Sequence, residues 1–462
     1  MAHILISATH KSSGKTTITL GLCAALRRRS FVVQPFKKGP DYIDPMWLTA
    51  ATGRPCHPLD FNTMPPDEIR ATFARHAGGS DIAVIEGNNG LYDGTDLEGS
   101  NSNAAMAKLL GAPVVLVIDC AGMARGIAPL LMGYLAFDPE VTFAGVVLNN
   151  VANSRHESKL RAAIERYTDV RVLGAVHRAA DLSIAERHLG LVPTVESGVA
   201  TAKLAAAADA IEKAIDLDAL LGLAGQAPPI PAPAMPSPEV RPADVTLAIA
   251  RDSAFGFYYA SDLDALRAAG ADVVFFDTLS DQALPPADGL IIGGGFPETH
   301  LAALQANGAL KAAIRQAVEA GLPTYAECGG LMYLARRIAW RGESAGMVGV
   351  IPADVVVHEK PRGHGYVQLR ETAAAPWPRD GAGSMPVEIP AHEFHYSDLG
   401  PLEGEAVFAY DVLRGHGIDG RHDGLVVKNL LASYAHLRHT VGNPWASRFV
   451  EFVRSCKAGT RR

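Results

Sequence analysis

The sequence predicts an α/β protein built from two domains, and three observations support this fold class. The chain has 462 residues, more than a single domain usually holds. Short apolar runs alternate with helical patterns in both halves, as in parallel sheets whose two faces are covered by helices. A proline-rich stretch over residues 227–242 separates the halves, because proline neither continues a helix nor enters a central strand.

Four segments follow from this division. We predict an N-terminal domain over residues 1–216, a semi-rigid linker over 217–243, a second domain over 244–445 and a C-terminal tail over 446–462.

Composition limits the classes of partner and compartment. The chain has 49 acidic and 42 basic residues, a net charge of −7, which argues against general nucleic-acid binding, because that needs a basic surface. Its five cysteines are scattered, so we predict neither a zinc site nor a disulfide framework, and we expect a reducing compartment. We find no signal peptide and no apolar run long enough to span a membrane. We therefore expect a soluble cytoplasmic protein without nucleic-acid or membrane partners.

Apolar runs predict the elements of the first domain. The run His3–Ser7 predicts a buried strand, and Ile18–Arg27 predicts the helix that follows it. Later strands are predicted at Phe31–Phe36, Asp81–Ile85, Val114–Ile118, Phe143–Leu148 and Val172–Val176, and helices at Ala104–Leu110 and Ser158–Tyr167.

The loop between the first strand and the first helix has the layout of a phosphate-binding loop. It ends Ser13-Gly14-Lys15-Thr16-Thr17. In such loops the backbone N–H groups and the helix N-terminus face phosphate, the lysine reaches the outer phosphates and the first hydroxyl holds Mg²⁺. The loop is a variant form, because Thr9 stands where the full pattern has its first glycine. The alternative is an ordinary Ser/Gly loop before a helix.

Polar residues follow the other predicted strands directly, at the edge where ligands of parallel sheets bind. They are the segments Lys37–Asp44 and Glu86–Gly94, together with Asp119, Asn149 and Asn150. Carboxylates beside phosphates are explained by Mg²⁺ or by proton transfer. Any one of these aspartates can equally be a helix cap or a turn residue.

The second half begins a new α/β pattern. Strands are predicted at Val245–Ala250, Asp272–Phe276, Gly289–Ile292 and Pro323–Ala326, and helices at Ala260–Ala269 and Ala309–Ala320. Cys328 ends the last of these strands and is followed by two glycines and a helical pattern. This is the layout of a nucleophile elbow with cysteine in place of serine.

A thiol nucleophile needs a partner base and a place for the developing oxyanion. His436 follows an apolar run and is the predicted base, although a histidine satisfied within the core is an equal alternative from the residues alone. The backbone N–H groups of Gly294 and Gly295 are the predicted oxyanion hole. The cluster His392–Ser397 either lines a pocket or caps a strand.

Together, a nucleotide-binding domain and a thiol suited to acyl transfer indicate a glutamine-dependent amide-forming ligase. The chain then resembles one family over nearly its whole length, the cobyrinate a,c-diamide synthases. The motifs are Ser13–Thr17, Phe36–Asp44, Glu86–Gly94, Glu186–Leu191, Ala254–Tyr259, Gly293–Glu298 and Ala326–Gly330. The resemblance implies a dethiobiotin-synthetase-like ATP domain followed by a flavodoxin-like class I glutamine amidotransferase domain.

The resemblance also implies the reaction and its participants. These are the c and a side-chain carboxylates of cobyrinate, a corrinoid, with ATP and L-glutamine as co-substrates and Mg²⁺ as cofactor; a homodimer is compatible with it. The implied nucleotide-binding residues are Ser13, Gly14, Lys15, Thr16, Thr17, Lys37 and Asn149, the last at the position that reads adenine.

Further roles are implied residue by residue. Cys328 is the glutaminase nucleophile and His436 its base. The implied metal ligands are Thr16, Asp41 and Glu86, and the implied catalytic residues of the ATP domain are Asp41 and Asp44 near the reacting carboxylate and Asp93 beside the intermediate or ammonia.

One departure and three alternatives remain. Arg438 occupies the position, two residues after His436, where class I glutaminases often have a glutamate, so the motif predicts a Cys–His dyad. Within the family, hydrogenobyrinate or nickel-sirohydrochlorin would replace cobyrinate without altering the catalytic motifs. Cobyric acid synthase, a neighbouring amidotransferase, fits the Gly39–Asp44 stretch poorly. A partitioning or regulatory P-loop ATPase with an inactive second domain is the alternative from another class.

Overall fold

The computed structural model describes residues 1–179, 186–187, 190–191, 200–230, 240–379 and 387–459. The chain divides into two units, Met1–Met235 and Pro236–Arg462, so the boundary falls inside the predicted linker. Most of the proline-rich stretch, residues 231–239, lies outside the described residues, as do His188 and Leu189 of the Glu186–Leu191 motif.

The first unit alternates strands and helices. In chain order its elements are β1 Ala2–Ala8, α1 Lys15–Arg28, β2 Val33–Lys38, α2 Ile43–Thr52, β3 His57–Leu59, α3 Pro66–Ala77, β4 Ile82–Glu86, α4 Asn103–Leu110, β5 Val114–Asp119, α5 Ile127–Phe137, β6 Phe143–Val151, α6 Ser154–Tyr167, β7 Val172–His177, β8 Glu186–Arg187, β9 Gly190–Leu191, α7 Ala200–Ala214 and α8 Leu217–Ala224.

The main sheet of this unit is parallel, with strand order β3-β2-β4-β1-β5-β6-β7. β1 lies between β4 and β5, and every residue of β4 is buried, as expected for a strand covered on both faces. The register pairs Glu86 of β4 with Ile6 of β1 on one side and with Lys37 of β2 on the other. The polar ends of three neighbouring strands therefore meet at one edge.

The second unit has a longer series of strands. In chain order its elements are β10 Val245–Ala250, β11 Phe255–Phe257, α9 Ala260–Ala268, β12 Ala271–Phe276, β13 Gly289–Ile292, β14 Gly294–Gly295, a 3₁₀ helix Pro297–His300, α10 Leu301–Ala306, α11 Gly308–Glu319, β15 Thr324–Glu327, α12 Gly329–Leu334, β16 Ala335–Trp340, β17 Glu343–Gly346, β18 Ile351–Val357, β19 Gly363–Glu371, β20 Glu388–His395, β21 Ser397–Leu399, β22 Phe408–Arg414, β23 His422–Val427, β24 Leu430–Ser433 and α13 Trp445–Lys457.

A nine-stranded sheet organises this unit, with order β12-β10-β13-β15-β24-β23-β22-β19-β20. The five strands from β12 to β24 are parallel to their neighbours, and the pairings from β24 to β20 are antiparallel. β15 and β24 are adjacent in the parallel part, so the segments that follow these two strands begin at the same edge. The predicted two-domain α/β class is confirmed.

Two predicted boundaries are wrong. The linker was expected from residue 217, but α8 occupies Leu217–Ala224, because Asp216 caps it and Leu217, Leu220 and Ala224 are buried in the first unit. The tail was expected from residue 446, but α13 is an amphipathic helix that buries Trp445, Phe449 and Phe452 in the second core. None of the helices in the described ranges combines the length and the apolar composition of a membrane span.

Candidate active sites

The phosphate-binding loop joins β1 to α1 in a backbone conformation that requires glycine at its last turn. Gly14 has φ +82° at the N-cap of α1. A Cβ there would lie 2.1 Å from Nδ2 of Asn149, closer than real Cβ contacts come. That amide donates to the Ser13 carbonyl at 2.9 Å, and the Ser13 hydroxyl donates to the His10 carbonyl at 2.8 Å. Asn149, on β6, therefore stabilises the phosphate-binding loop.

Three side chains of the first unit meet at the buried carboxylate of Glu86, which is 0% exposed. Thr16 donates its hydroxyl to Oε1 at 2.6 Å, and Nζ of Lys15 lies 3.3 Å from the same oxygen. Nζ of Lys37 lies 3.0 Å from Oε1 of Glu86 and 2.5 Å from Oδ2 of Asp44. The strand register places Lys37 and Glu86 side by side, and Lys15 and Thr16 reach Glu86 from the first turn of α1.

Burial and neighbouring charges together set the pKa values of Lys37, Lys15 and Asp44. Burial alone disfavours the ammonium of Lys37, but the carboxylates of Asp44, Glu86 and Asp41 outweigh it and raise the pKa of Lys37. Burial and the neighbouring ammonium of Lys37 lower the pKa of Lys15. Burial opposes ionisation of Asp44 as well, yet Lys37 and Lys15 outweigh it and lower the pKa of Asp44. Lys37 and Asp44 therefore form a tight ion pair.

The remaining predicted aspartates have more local contacts. Oδ1 of Asp41 accepts the N–H groups of Ile43 and Asp44 at 2.9 and 3.1 Å, and Oδ2 lies 3.9 Å from Nζ of Lys37. Burial and the charge of Asp44 raise the pKa of Asp41. Oδ2 of Asp93 accepts the N–H of Gly90 at 2.8 Å, which closes the turn after β4.

The residues around Glu86 fit a magnesium ion. Oε2 of Glu86 is buried and has no hydrogen-bond partner among the described residues. A buried carboxylate oxygen in that state, beside the Thr16 hydroxyl, suits Mg²⁺, which takes one or two protein oxygens and completes its shell with phosphate and water. No group of three or more His, Cys, Asp or Glu side chains suited to a metal occurs in the described part of the chain.

A cavity adjoins the loop on the side of β6 and α7, with a volume of about 190 Å³. Its lining includes Ser12, Gly14, Thr17, Asn149, Asn150 and Ile211. The cavity thus begins at the loop backbone and extends beside the predicted adenine-reading residue, Asn149.

The nucleophile elbow of the second unit is formed by Cys328, between β15 and α12. Its backbone has φ +47° and ψ −101°, a strained combination for a residue with a side chain. The N–H of Cys328 donates to the Ser433 carbonyl of β24 at 2.7 Å, which holds the turn. Glycine is required just after it, because a Cβ on Gly330 would lie 2.0 Å from the Ile292 carbonyl. Cys328 is 6% exposed.

His436 follows β24 and reaches the elbow from the neighbouring strand. Oε2 of Glu327 lies 3.5 Å from Nδ1 of the His436 imidazole, and Cys328 interacts with the same ring. Burial alone would lower the pKa of His436, but the Cys328 thiol and the Glu327 carboxylate outweigh it and raise the pKa to about 10. The structure therefore brings Cys328 and His436 together. The role of Glu327 is absent from the motif-based prediction.

The predicted oxyanion-hole glycines lie beside these two residues. A Cβ on Gly294 would be 2.6 Å from Cε1 of His436, and a Cβ on Gly329 would be 3.0 Å from the amide nitrogen of Gly295. The short strand β14 that they form pairs with β11, which fixes the backbone of Gly294 and Gly295 next to the elbow.

The His392–Ser397 cluster forms the end of β20 and the start of β21, so it lies within strands instead of capping one, and its side chains have two kinds of contact. The ring of His392 stacks on that of His436, with centroids 4.9 Å apart, so it lines the site. Glu393 instead accepts the N–H groups of His416 and Gly417 at 2.7 and 2.8 Å, which is a structural role at the end of a loop.

Arg438 does not take the place of an acidic triad member. Its guanidinium lies over the ring of Tyr259, with Cζ 5.5 Å from the centroid. Asp262 is its charged neighbour, and burial raises the pKa of Asp262 to about 7 while Arg438 opposes that change.

Family models match both units. The model described as an AAA domain matches residues 2–186, and the model of a CobB/CobQ-like glutamine amidotransferase domain matches residues 246–443.

Full-length relatives match as well. A cobyrinate a,c-diamide synthase of Magnetococcus marinus is 49% identical over 98% of this chain and 97% of its own length. The enzyme of that name from Methanosarcina acetivorans is 40% identical over 97% of this chain and 94% of its own length. The one from Dehalococcoides mccartyi is 40% identical over 97% of both chains. With both domain models and this coverage, the chain belongs to the cobyrinate a,c-diamide synthase family.

Proposed function

We propose that this protein converts the a and c side-chain carboxylates of cobyrinate to amides, with ATP as the activating co-substrate and glutamine as the nitrogen donor. One observation carries the proposal: a single chain holds both a Lys15–Thr16–Lys37–Glu86 cluster under a phosphate-binding loop and a Cys328–His436 pair at an elbow. Glutamine-dependent amide ligases need these two chemistries together.

The second unit supplies ammonia. The Cys328 thiolate attacks the carboxamide carbon of glutamine, and the N–H groups of Gly294 and Gly295 stabilise the oxyanion that forms on the carbonyl oxygen. The His436 imidazolium gives its proton to the departing nitrogen, which leaves as ammonia. Water then hydrolyses the thioester, releases glutamate and restores the thiol. The Cys328 thiol and the Glu327 carboxylate raise the pKa of His436 to about 10, which favours the imidazolium that gives this proton.

The first unit activates the carboxylate. A substrate carboxylate attacks the γ-phosphorus of ATP to give an acyl phosphate and ADP, and ammonia then displaces phosphate to form the amide. The ammoniums of Lys15 and Lys37 offset charge on the phosphoryl oxygens. Mg²⁺ bound by Thr16 and Glu86 would supply further charge neutralisation. Asp44 holds Lys37 in place, and Asp41 lies at the start of α2 beside that pair.

A regulatory or partitioning ATPase is the less suitable assignment. Such a protein has no use for an elbow with a strained cysteine, flanking glycines and a histidine whose pKa is raised by the thiol. All five cysteines lie in the described part of the chain and are free thiols, so we include a reducing, cytoplasmic location in the proposal.

Product analysis tests this proposal. The purified protein is incubated with ATP, Mg²⁺, glutamine carrying a heavy nitrogen in its amide, and either cobyrinate, hydrogenobyrinate or nickel-sirohydrochlorin. We expect cobyrinate to gain two heavy nitrogens, one per consumed ATP, as counted by mass spectrometry. Faster conversion of another tetrapyrrole would change the substrate, and ATP consumption without any amidated product would contradict the ligase assignment.

A further inference from the structure

The Cys328–His436 pair has a carboxylate neighbour that the sequence motifs do not predict. Oε2 of Glu327 lies 3.5 Å from Nδ1 of His436, and the Glu327 side chain is 9% exposed. The strand pairing explains the contact: β15 ends with Glu327, β24 ends with Ser433 in register with it, and His436 follows three residues later. Glu327, which directly precedes the nucleophile Cys328 in the sequence, thus lies beside Nδ1 of His436.

Two hydrogen bonds fix the Glu327 carboxylate in that orientation. Its Oε1 accepts the backbone N–H of Leu437 at 2.9 Å and the phenol of Tyr325. Burial raises the pKa of Tyr325 well above its ordinary value, so this phenol keeps its proton and remains a donor. Both donors bind Oε1, which leaves Oε2 directed at the imidazole. Such an arrangement holds the carboxylate still instead of letting it rotate toward solvent.

We propose that Glu327 is the third member of the glutaminase triad, a positioning residue that orients His436 and stabilises its imidazolium form. The inference rests on the proposed glutamine hydrolysis. In a triad the acid holds the base in the tautomer that faces the nucleophile and stabilises the charge that develops on the ring. A distance of 3.5 Å suits that role in a site without substrate, because catalytic hydrogen bonds often shorten only when substrate binds.

The other groups around His436 do not supply this carboxylate. Cys328 faces the imidazole as the nucleophile, and His392 stacks on its ring. Burial and the charges of His436 and Arg438 lower the pKa of His392 well below its ordinary value, so it stays neutral beside the base. Arg438 is cationic and lies over Tyr259. Asp262 accepts the His439 N–H at 3.1 Å and the Trp445 indole N–H at 3.0 Å.

The test compares Glu327→Gln with wild type in glutamine hydrolysis without the ATP reaction. Gln keeps the shape of the side chain but cannot stabilise an imidazolium. We expect kcat to fall roughly 10²- to 10⁴-fold with little change in KM, as when a triad acid loses its charge. Glu343→Gln, an exposed change of the same chemistry on β17, serves as the matched control and should keep wild-type kinetics.

The pH dependence of Cys328 alkylation by iodoacetamide separates positioning from a merely structural effect. Without the carboxylate, the imidazolium form of His436 is less favourable, so less of it is present to stabilise the Cys328 thiolate. The acidic limb of the alkylation profile should therefore move to higher pH in Glu327→Gln. An unchanged profile together with kcat within about threefold of wild type would overturn the inference. Absence of glutaminase activity in wild type would instead refute the proposed function.

A second variant keeps the test decisive if Glu327→Gln does not fold. Glu327→Asp retains the charge on a shorter side chain, so we expect an intermediate kcat and an alkylation profile between those of wild type and a charge-free site. Wild-type kcat in Glu327→Asp would argue against positioning by this carboxylate.

Discussion

Nζ of Lys37 lies 3.0 Å from Oε1 of Glu86, and this contact follows from the register of two parallel strands, which pairs Lys37 on β2 with Glu86 on β4. Lys15 and Thr16 reach the same carboxylate from the first turn of α1. One buried glutamate therefore links the phosphate-binding loop to the polar end of the neighbouring strand. We expect the ligase chemistry to depend on that link.

Glu86→Gln should impair the ammonia-dependent amidation. The substitution removes the charge that holds Lys15 and Lys37 and leaves Mg²⁺ with a weaker ligand, so we expect a rate loss of roughly 10²-fold or more and a higher Mg²⁺ requirement. Initial rates measured over a range of Mg²⁺ concentrations check this. Glu140→Gln, at an exposed surface ion pair, is the control. Wild-type kcat and Mg²⁺ dependence in Glu86→Gln would refute the assigned role.

Gly14→Ala should weaken ATP binding. Alanine is strained at φ +82°, and its Cβ would meet the Asn149 amide at 2.1 Å, so the loop or β6 has to shift. We expect an ATP dissociation constant at least about tenfold higher, measured by calorimetry. Gly126→Ala at the start of α5 is matched, because its φ is −58° and a Cβ there meets nothing within 4 Å. Equal affinities for the two variants would show that Gly14 is not constrained.

Lys38 should make the free energy of unfolding depend on pH in the alkaline range. Burial lowers its pKa to about 8, and Nζ donates to Asn88 at 2.9 Å. Between pH 8 and the ordinary lysine pKa of about 10.4, the unfolded chain holds a proton that the folded chain has lost, so stability rises with pH over this window. Conversely, this contribution disappears as the pH falls through about 8.

The comparison with Lys38→Met isolates that effect. The free energy of unfolding of wild type, minus that of the variant, should increase from pH 8 to pH 10 in urea titrations. A difference that stays constant over this interval would mean that Lys38 titrates normally in the folded protein.

Asp423 should be a determinant of the second unit's stability. It is fully buried and accepts the Ser433 hydroxyl at 2.9 Å and the N–H groups of Tyr434 and Ala435 at 3.0 and 2.9 Å. Asp423→Ala leaves these donors buried and unpaired, so we expect a loss of about 2–4 kcal/mol. Asp411→Ala, exposed on β22, should change little.

Tryptophan fluorescence can follow this unfolding, since Trp340, Trp377 and Trp445 lie in the second unit and only Trp47 lies in the first. A similar midpoint for Asp423→Ala and Asp411→Ala would contradict the structural role. Because Asp423 fixes the chain that leads from β24 to His436, glutaminase activity should fall along with stability.

Local patterns predicted much of the fold. Val245–Ala250 and Gly289–Ile292 are strands with the bounds that their apolar runs indicate, and α11 begins and ends within a residue of its prediction. The antiparallel half of the second sheet was not predicted. Its strands, such as β19 and β22, alternate buried and exposed residues weakly, and their pairing depends on contacts across long stretches of chain.

For the candidate sites, too, the sequence predicted features whose residues are close together in the chain and missed contacts between distant segments. Glycines and hydroxyls at fixed spacing point to the phosphate-binding loop, because that chemistry is local in sequence. The contact of Glu327 with His436 joins residues on different strands, and no spacing rule indicates it. The linker boundary failed for a related reason: Asp216 caps α8 locally, but the burial of Leu217 and Leu220 depends on the rest of the first unit.

The most direct test measures diamide formation by wild type and Cys328→Ala, each supplied with ATP and either glutamine or ammonium chloride. We predict that the variant loses glutamine-supported synthesis and keeps the ammonium-supported rate within about threefold of wild type, because the ligase cluster is untouched. Glutamine-supported synthesis by Cys328→Ala, or failure of wild type to form product with ammonium, would contradict the account.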